Sequence, residues 1–144
     1  MSDEVIAIAS DHGGYDLKEI LKTELEHLGY AILDLGCYNK DSVDYPDYAD
    51  KMAAALLNKS AERGVLICGS GIGISIAANR HRHVRAALVH DGLTSQLSRH
   101  HNNANVIVLG GRTTGVDVAK DCLKIFLETD FDGGRHQRRI ELMS

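Results

Sequence analysis

Residues 65–78 read VLICGSGIGISIAA, and this stretch decides the fold. Four apolar residues ending at Cys68 predict a short buried strand, and the alternate glycines that follow predict a tight turn. Ile74, Ala77 and Ala78 then recur at helical spacing. The stretch is therefore predicted to be a β-α unit, in which a glycine-rich turn joins a strand directly to a helix.

Units of the same kind occupy the rest of the chain. Each short apolar run is followed by apolar residues at helical spacing, as in Leu17, Leu21 and Leu25 after the first run. The runs are continuous rather than alternating, which is typical of parallel strands covered on both faces. The sequence therefore predicts one three-layer α/β domain over residues 1–144, without a linker. Its predicted strands are Val5–Ala9, Ala31–Leu35, Val65–Cys68, Val84–Val89 and Val106–Leu109.

The bulk composition excludes some classes of protein. The chain has 144 residues, a formal net charge of -4 and 44% hydrophobic residues, as in an ordinary globular domain. The negative charge argues against a nucleic-acid or membrane-surface binder, and no apolar run approaches the roughly 20 residues of a membrane helix. Three irregularly spaced cysteines give no disulfide framework, and the N-terminus does not read as a signal peptide. We therefore expect a cytoplasmic protein with no nucleic-acid or membrane partner.

Polar residues and glycines gather where the predicted strands end. Open parallel sheets bind ligands at the carboxyl ends of their strands, so these segments are the candidate site. They are Ser10–Gly14, Cys68–Gly73, His90–Asp91 and Gly110–Arg112. His101 and Asn102 instead close the helix that leads into the fifth strand. They are expected at the opposite edge of the sheet unless the connection folds back.

The glycine turn after Cys68 admits two interpretations. Gly69, Gly71 and Gly73 let backbone amides face a ligand, and the next helix adds its positive N-terminal end, which suits a phosphate or an oxyanion. The turn lacks the third glycine of the dinucleotide fingerprint and has no Walker lysine, so a purely structural tight turn is the alternative. The same helix end favours the thiolate of Cys68 as a base or nucleophile. The alternative for Cys68 is a small core residue, the role we assign to Cys122.

Histidines and arginines offer two further candidate sites. Eight histidines occur, but no metal-binding spacing does, and adjacent His100 and His101 would point about 100° apart on a helix. We therefore predict no metal and no cofactor. Asp11 and His12 read either as ligand contacts or as a capping pair for the next helix. Residues 133–139, GGRHQRR, read either as a solvated tail or as an arginine clamp for a phosphate.

Six segments together resemble the type B ribose-5-phosphate isomerases, in the family that also holds the galactose-6-phosphate isomerase subunits. The resemblance extends from Ala7 to about Arg139 and implies a Rossmann-like three-layer sandwich with a five-stranded parallel sheet of order 2-1-3-5-4. It also implies a homodimer or tetramer with an active site shared between subunits, the C-terminal arm (residues 133–144) reaching the neighbour. The segments are Ser10–Gly14, Asp44–Ala49, Cys68–Gly73, Ser75–Asn79, Leu97–Asn102 and Gly133–Gln137.

The resemblance also implies roles for individual residues. Cys68 matches the proton acceptor of the family, and His101 matches its acid for opening the sugar ring. Ile74 stands where one branch carries a glutamate base, so the chain belongs with the cysteine branch. Asp11 and Ser70 complete the catalytic set. The implied substrate contacts are Asp11, His12, Tyr45, Gly69, Ser70, Gly71, Ile72, Gly73, Asn102, Arg112, Arg135 and Arg139.

Three functions remain open at this stage. The leading one is isomerisation of ribose 5-phosphate and ribulose 5-phosphate through an enediolate, with Cys68 as base and His101 as ring-opening acid. The second is the same chemistry on a hexose 6-phosphate, such as that of allose or galactose. The third is a non-catalytic phosphate or nucleotide sensor, which would bind its ligand without turnover and leave Cys68 and His101 without a role.

Overall fold

The structure, a computed structural model, describes residues 3–144 and contains one five-stranded parallel sheet of order β2-β1-β3-β5-β4. This confirms both the predicted class and the predicted strand order. The strands are β1 Val5–Ser10, β2 Ala31–Asp34, β3 Arg63–Cys68, β4 Ala86–Leu88 and β5 Val106–Gly110. The helices are α1 Tyr15–His27, α2 Tyr45–Leu57, α3 Ile72–Ala78, α4 Gly92–His100, α5 Val116–Glu128 and α6 Arg135–Met143, with a 3-10 turn at His12–Gly14.

Alternate residues of the strands pack into two hydrophobic cores, one on each face of the sheet. In β1, Ile6 and Ile8 pack with apolar residues of α1 and α5, whereas Ala7 and Ala9 pack with those of α2 and α3. This follows from the period of two in a strand, which turns successive side chains to opposite faces. Helix α4 lies beside α5, where the buried Ser95 hydroxyl donates to the Cys122 carbonyl at 2.7 Å. The helices therefore form layers on both sides of the sheet.

The predicted bounds of β1, β2 and β5 were wrong by one residue at one end, and those of β3 and β4 by more. Strand β4 is shorter than the predicted Val84–Val89, because it is an edge strand with one neighbour. The Asn79 side chain bonds both main-chain groups of Ala86, at 2.8 and 2.9 Å, on that open edge. Strand β3 begins at Arg63, two residues before the predicted start at Val65. A charged residue can open this strand because the guanidinium of Arg63 donates hydrogen bonds to the Glu4 carboxylate and need not lie in the core.

The three cysteines are free and buried, in keeping with the absence of a disulfide framework in the sequence. Among residues 3–144, no helix has both the length and the apolar character needed to cross a membrane.

Candidate active site

The loops that follow β1, β3 and β5 touch one another at the carboxyl edge of the sheet. The Asp11 amide donates to the Ile67 carbonyl at 3.2 Å, which ties the first loop to the end of β3. The Gly111 amide donates to the Cys68 carbonyl at 2.8 Å, which ties the third loop to the same strand end. The fold thus gathers three of the predicted polar segments around Cys68.

The Cys68 thiol lies at the floor of this edge, 5% exposed, in a turn of backbone amides. Its Sγ atom accepts a hydrogen bond from the Gly71 amide at 3.2 Å. Gly71 has φ 78°, a left-handed conformation that favours glycine, and a Cβ there would lie 2.5 Å from Leu88. The Ser70 hydroxyl accepts from the Ile72 amide at 3.2 Å. The turn therefore directs a backbone amide at the sulfur and can hold an oxyanion beside it.

Asp11 and His12 are held rigidly at the same edge. The buried Asp11 carboxylate accepts from the Gly14 amide at 3.2 Å, so the predicted capping role is present. His12 Nδ1 accepts from the Val43 amide at 3.1 Å. Because an amide can only donate, the proton of the neutral His12 ring sits on Nε2. That nitrogen is then a hydrogen-bond donor, suited to an anionic ligand.

Tyr45 and Arg112 flank the glycine turn on either side. The Tyr45 ring lies over Gly73 so closely that a Cβ at Gly73 would come within 2.6 Å of it. The exposed Arg112 is fixed through its amide, which donates to the Gly69 carbonyl at 2.8 Å. Its guanidinium lies near Gly69. Arg112 therefore places a positive charge beside the turn.

His101 and Asn102 lie at the opposite, amino-terminal edge of the sheet. They follow α4, and β5 begins four residues after Asn102, at Val106, level with Gly64 near the start of β3. Cys68 lies four residues further along that strand, roughly 13 Å away at about 3.3 Å per residue. The connection does not fold back, so one chain does not bring His101 to its own Cys68.

The C-terminal arm comes to this same amino-terminal edge. Helix α6 places His136 on His101, with ring centroids 4.3 Å apart and the planes 13° from parallel. The Asp132 carboxylate lies 2.7 Å from His100 Nδ1, just before the helix. Partial burial and the charges of neighbouring His101, Arg135 and Arg139 lower the pKa of His136 and favour its neutral ring. Arg135 and Arg139 are exposed on α6.

The predicted site residues thus fall into two groups, one at each edge. The carboxyl-edge group is Asp11, His12, Tyr45, Cys68, Gly69, Ser70, Gly71, Ile72, Gly73 and Arg112; the amino-edge group is His101, Asn102, Arg135 and Arg139. The arm is less detached than its sequence suggested, since Ile140 is 6% exposed.

Sequence reasoning missed His136 and the contact of Val43 with His12. His136 stands within a quoted segment, but its stacking partner is 35 positions earlier in the chain. Among residues 3–144, one group of side chains could hold a metal ion: His101, Asp132 and His136.

Comparisons with known proteins all find ribose-5-phosphate isomerases or their family. The profile of a family described as ribose/galactose isomerase matches residues 6–143. Ribose-5-phosphate isomerase B of Escherichia coli is 39% identical over 139 residues, covering 96% of this chain and 93% of that protein. The crystal structure of a ribose 5-phosphate isomerase from Thermotoga maritima is 48% identical, with TM-score 0.96, covering 99% of this chain and 98% of that one. The Clostridium thermocellum ribose-5-phosphate isomerase B structure is 43% identical, with TM-score 0.95, covering 96% and 94%.

Proposed function

Since the chain belongs to the ribose/galactose isomerase family, we propose that it interconverts ribose 5-phosphate and ribulose 5-phosphate by proton transfer, without a metal or organic cofactor. The observation that carries this proposal is the Cys68 thiol, seated beside the Gly71 amide at the carboxyl end of β3. A thiolate there is a base within a preformed oxyanion site, which is what an enediolate mechanism requires. We assign the protein to the cytoplasm, as one domain over residues 1–144 with a C-terminal arm from residue 133.

The isomerisation step uses Cys68 as a base and then as an acid. Its thiolate removes the proton from C2 of the open-chain aldose, and the electron pair moves to form the enediolate with negative charge on the C1 oxygen. The proton of the C2 hydroxyl passes to the C1 oxygen, which moves the negative charge to the C2 oxygen. The same thiol then returns its proton to C1 as the C2 carbonyl forms, which gives the ketose and regenerates the thiolate. Backbone amides of the turn and the Ser70 hydroxyl hold the developing oxyanion, while His12 Nε2 donates to an anionic group of the substrate.

Ring opening precedes this step and needs an acid and a base. His101 protonates the ring oxygen of the furanose, and Asp11 accepts the proton of the C1 hydroxyl. Asp11 is suited to this role because only one carboxylate oxygen is bonded by the Gly14 amide, which leaves the other for substrate. His101 is half-buried and its ring is fixed by stacking on His136, so its direction is defined.

The complete site forms between two copies of the chain. Within one chain the base and the acid lie at opposite edges of the sheet, and of the three predicted arginines Arg112 alone lies beside the glycine turn. A homodimer that faces the carboxyl edge of one subunit with the amino edge of the other gives two equal sites. Each site then takes His101, Arg135 and Arg139 from the partner. Ile72 and Ile76 are each 54% exposed beside the turn, and such a contact would bury them.

A turnover assay tests the proposed activity. Metal-free protein should isomerise ribose 5-phosphate, and EDTA should not change the rate. Cys68→Ala should lose roughly 10² to 10⁴ in kcat while substrate still binds. Cys122→Ala, at a buried cysteine outside the site, is the matched control for loss of a core thiol. Preference for allose or galactose 6-phosphate would reassign the substrate, and binding without turnover of any sugar phosphate would reject the enzyme.

A further inference from the structure

The side chains of His101, Asp132 and His136 converge at the amino-terminal edge of the sheet. Each offers one ligand atom, two imidazole nitrogens and one carboxylate oxygen, and these atoms all lie within 4.8 Å of one another. Two imidazoles and a carboxylate are ligands that suit divalent transition metals of borderline softness, of which Zn²⁺ is the common example. Three protein ligands leave the fourth position of a tetrahedral ion open.

The residues around the cluster support the carboxylate ligand. His100 Nδ1 lies 2.7 Å from one oxygen of Asp132, and the Asp132 amide donates to the His100 carbonyl at 3.1 Å. The main-chain bond holds Asp132 beside His100, whose Nδ1 lies close to one carboxylate oxygen without a hydrogen bond, so the second oxygen stays available to an ion. Such outer partners are a regular part of metal sites, because they fix the direction of the ligand.

The three ligand atoms must move closer together by a modest distance to coordinate an ion. Bonds of about 2.0–2.2 Å in a tetrahedron separate the ligand atoms by roughly 3.4 Å, so the widest pair must approach by at most about 1.4 Å. Gly133 and Gly134 lie between Asp132 and His136, and nothing lies within 4 Å of a Cβ built at either glycine. This open hinge allows the approach. The His136 ring must also turn from its stack, because parallel rings do not direct their lone pairs at one point.

We propose that His101, Asp132 and His136 bind one Zn²⁺-class ion per chain, and that this ion inhibits the enzyme. Coordination takes the His101 nitrogen that would protonate the ring oxygen, so ring opening stops while the ion is bound. The inhibitory role rests on the proposed function, whereas ion binding does not. Arg135 and Arg139, on the same helix as His136, repel a cation, so we expect binding far weaker than that of a structural zinc site.

Calorimetric titration of the full, metal-free chain with Zn²⁺ tests the site without any turnover. Wild type should bind one ion per chain, and His136→Gln and Asp132→Asn should each weaken binding at least tenfold. His27→Gln, at an exposed histidine on α1, is the matched control and should bind as wild type does. Cys68→Ala should also bind normally, because its thiol lies at the other edge. Equal binding by His136→Gln and wild type, or loss of binding in Cys68→Ala, would overturn the site.

Inhibition is measured separately on cyclic ribose 5-phosphate. Zn²⁺ should inhibit wild type reversibly, and EDTA should restore the rate. With each protein's rate expressed as a fraction of its own zinc-free rate, the half-inhibitory Zn²⁺ concentration should be at least tenfold higher for His136→Gln than for wild type. Stoichiometric binding with no inhibition would overturn the inhibitory role and leave the binding site standing. A zinc-free chain without turnover would instead reject the proposed function, and calorimetry would still decide the site.

Discussion

A mixture of two inactive variants tests whether the site is shared between subunits. One variant, Cys68→Ala, lacks the base at the carboxyl edge, and the other, Arg135→Ala/Arg139→Ala, lacks the phosphate charges of the arm. In a heterodimer with shared sites, one site combines both defects and the other is wholly wild type. Random exchange makes half of the dimers heterodimers, and one of their two sites is intact, so activity should recover to about a quarter of wild type.

The geometry makes this outcome specific to a site assembled in trans. If the arm served its own chain, every site in the heterodimer would carry one defect, and activity would stay at the level of the parents. The parents should each fall roughly 10²-fold or more below wild type, so recovery to a quarter is easily measured. Co-expression with two affinity tags isolates the heterodimer, and circular dichroism checks the folding of each parent. A verified heterodimer with no recovered activity would refute the shared site.

Three further predictions concern stability and reactivity. Asp34→Asn should lower the free energy of unfolding by about 2 kcal/mol at pH 7, because fully buried Lys18 loses one of its two paired carboxylates and keeps only Glu19. Burial raises the pKa of Asp34, but hydrogen bonds from Lys18 and other donors outweigh it, so that the pKa is lowered overall. The difference in free energy of unfolding between wild type and Asp34→Asn, measured by urea unfolding, should therefore be full above about pH 4 and shrink as the pH falls further. Gly71→Ala should lower the free energy of unfolding by about 1–3 kcal/mol and lower kcat, because φ is 78° there and Leu88 blocks the added Cβ. Gly115→Ala, with open space around the Cβ and φ -65°, is the control and should change neither quantity. Burial raises the pKa of Cys122 to about 11, so iodoacetamide at pH 8 should leave it unmodified by peptide mass spectrometry, and alkylation at the rate of a free thiol would contradict this.

The sequence predicted what depends on local pattern. Continuous apolar runs gave the parallel sheet, and the polar ends of the runs placed Asp11 and Cys68 at one edge, because parallel strands end together. Alternate glycines predicted a turn of backbone amides, and the hydrogen bond from Gly71 to the thiol agrees with it.

Contacts between distant segments were beyond sequence reasoning. The stacking of His136 on His101 depends on where α6 lands after a glycine hinge, which no spacing rule gives. The Val43 amide fixes the tautomer of His12 through a loop whose path has no periodicity. The same is true of the histidine-aspartate cluster, since metal-site spacing rules look for ligands close together in the chain, and here His101 and Asp132 are 31 positions apart.

The division of the site between two edges bears on how substrate length is selected. In the proposed dimer, the reacting carbons would lie at Cys68, and the phosphate at the far end of the sugar would lie with the arginines of the partner's arm. The distance between these points is set by how two subunits pack, because one chain holds its own base and its own arm at opposite edges. A pentose and a hexose phosphate differ by one carbon between the same two ends. If the site is shared in this way, selection between the two sugars is a property of the interface, and the motifs of a single chain would identify the chemistry without deciding the sugar.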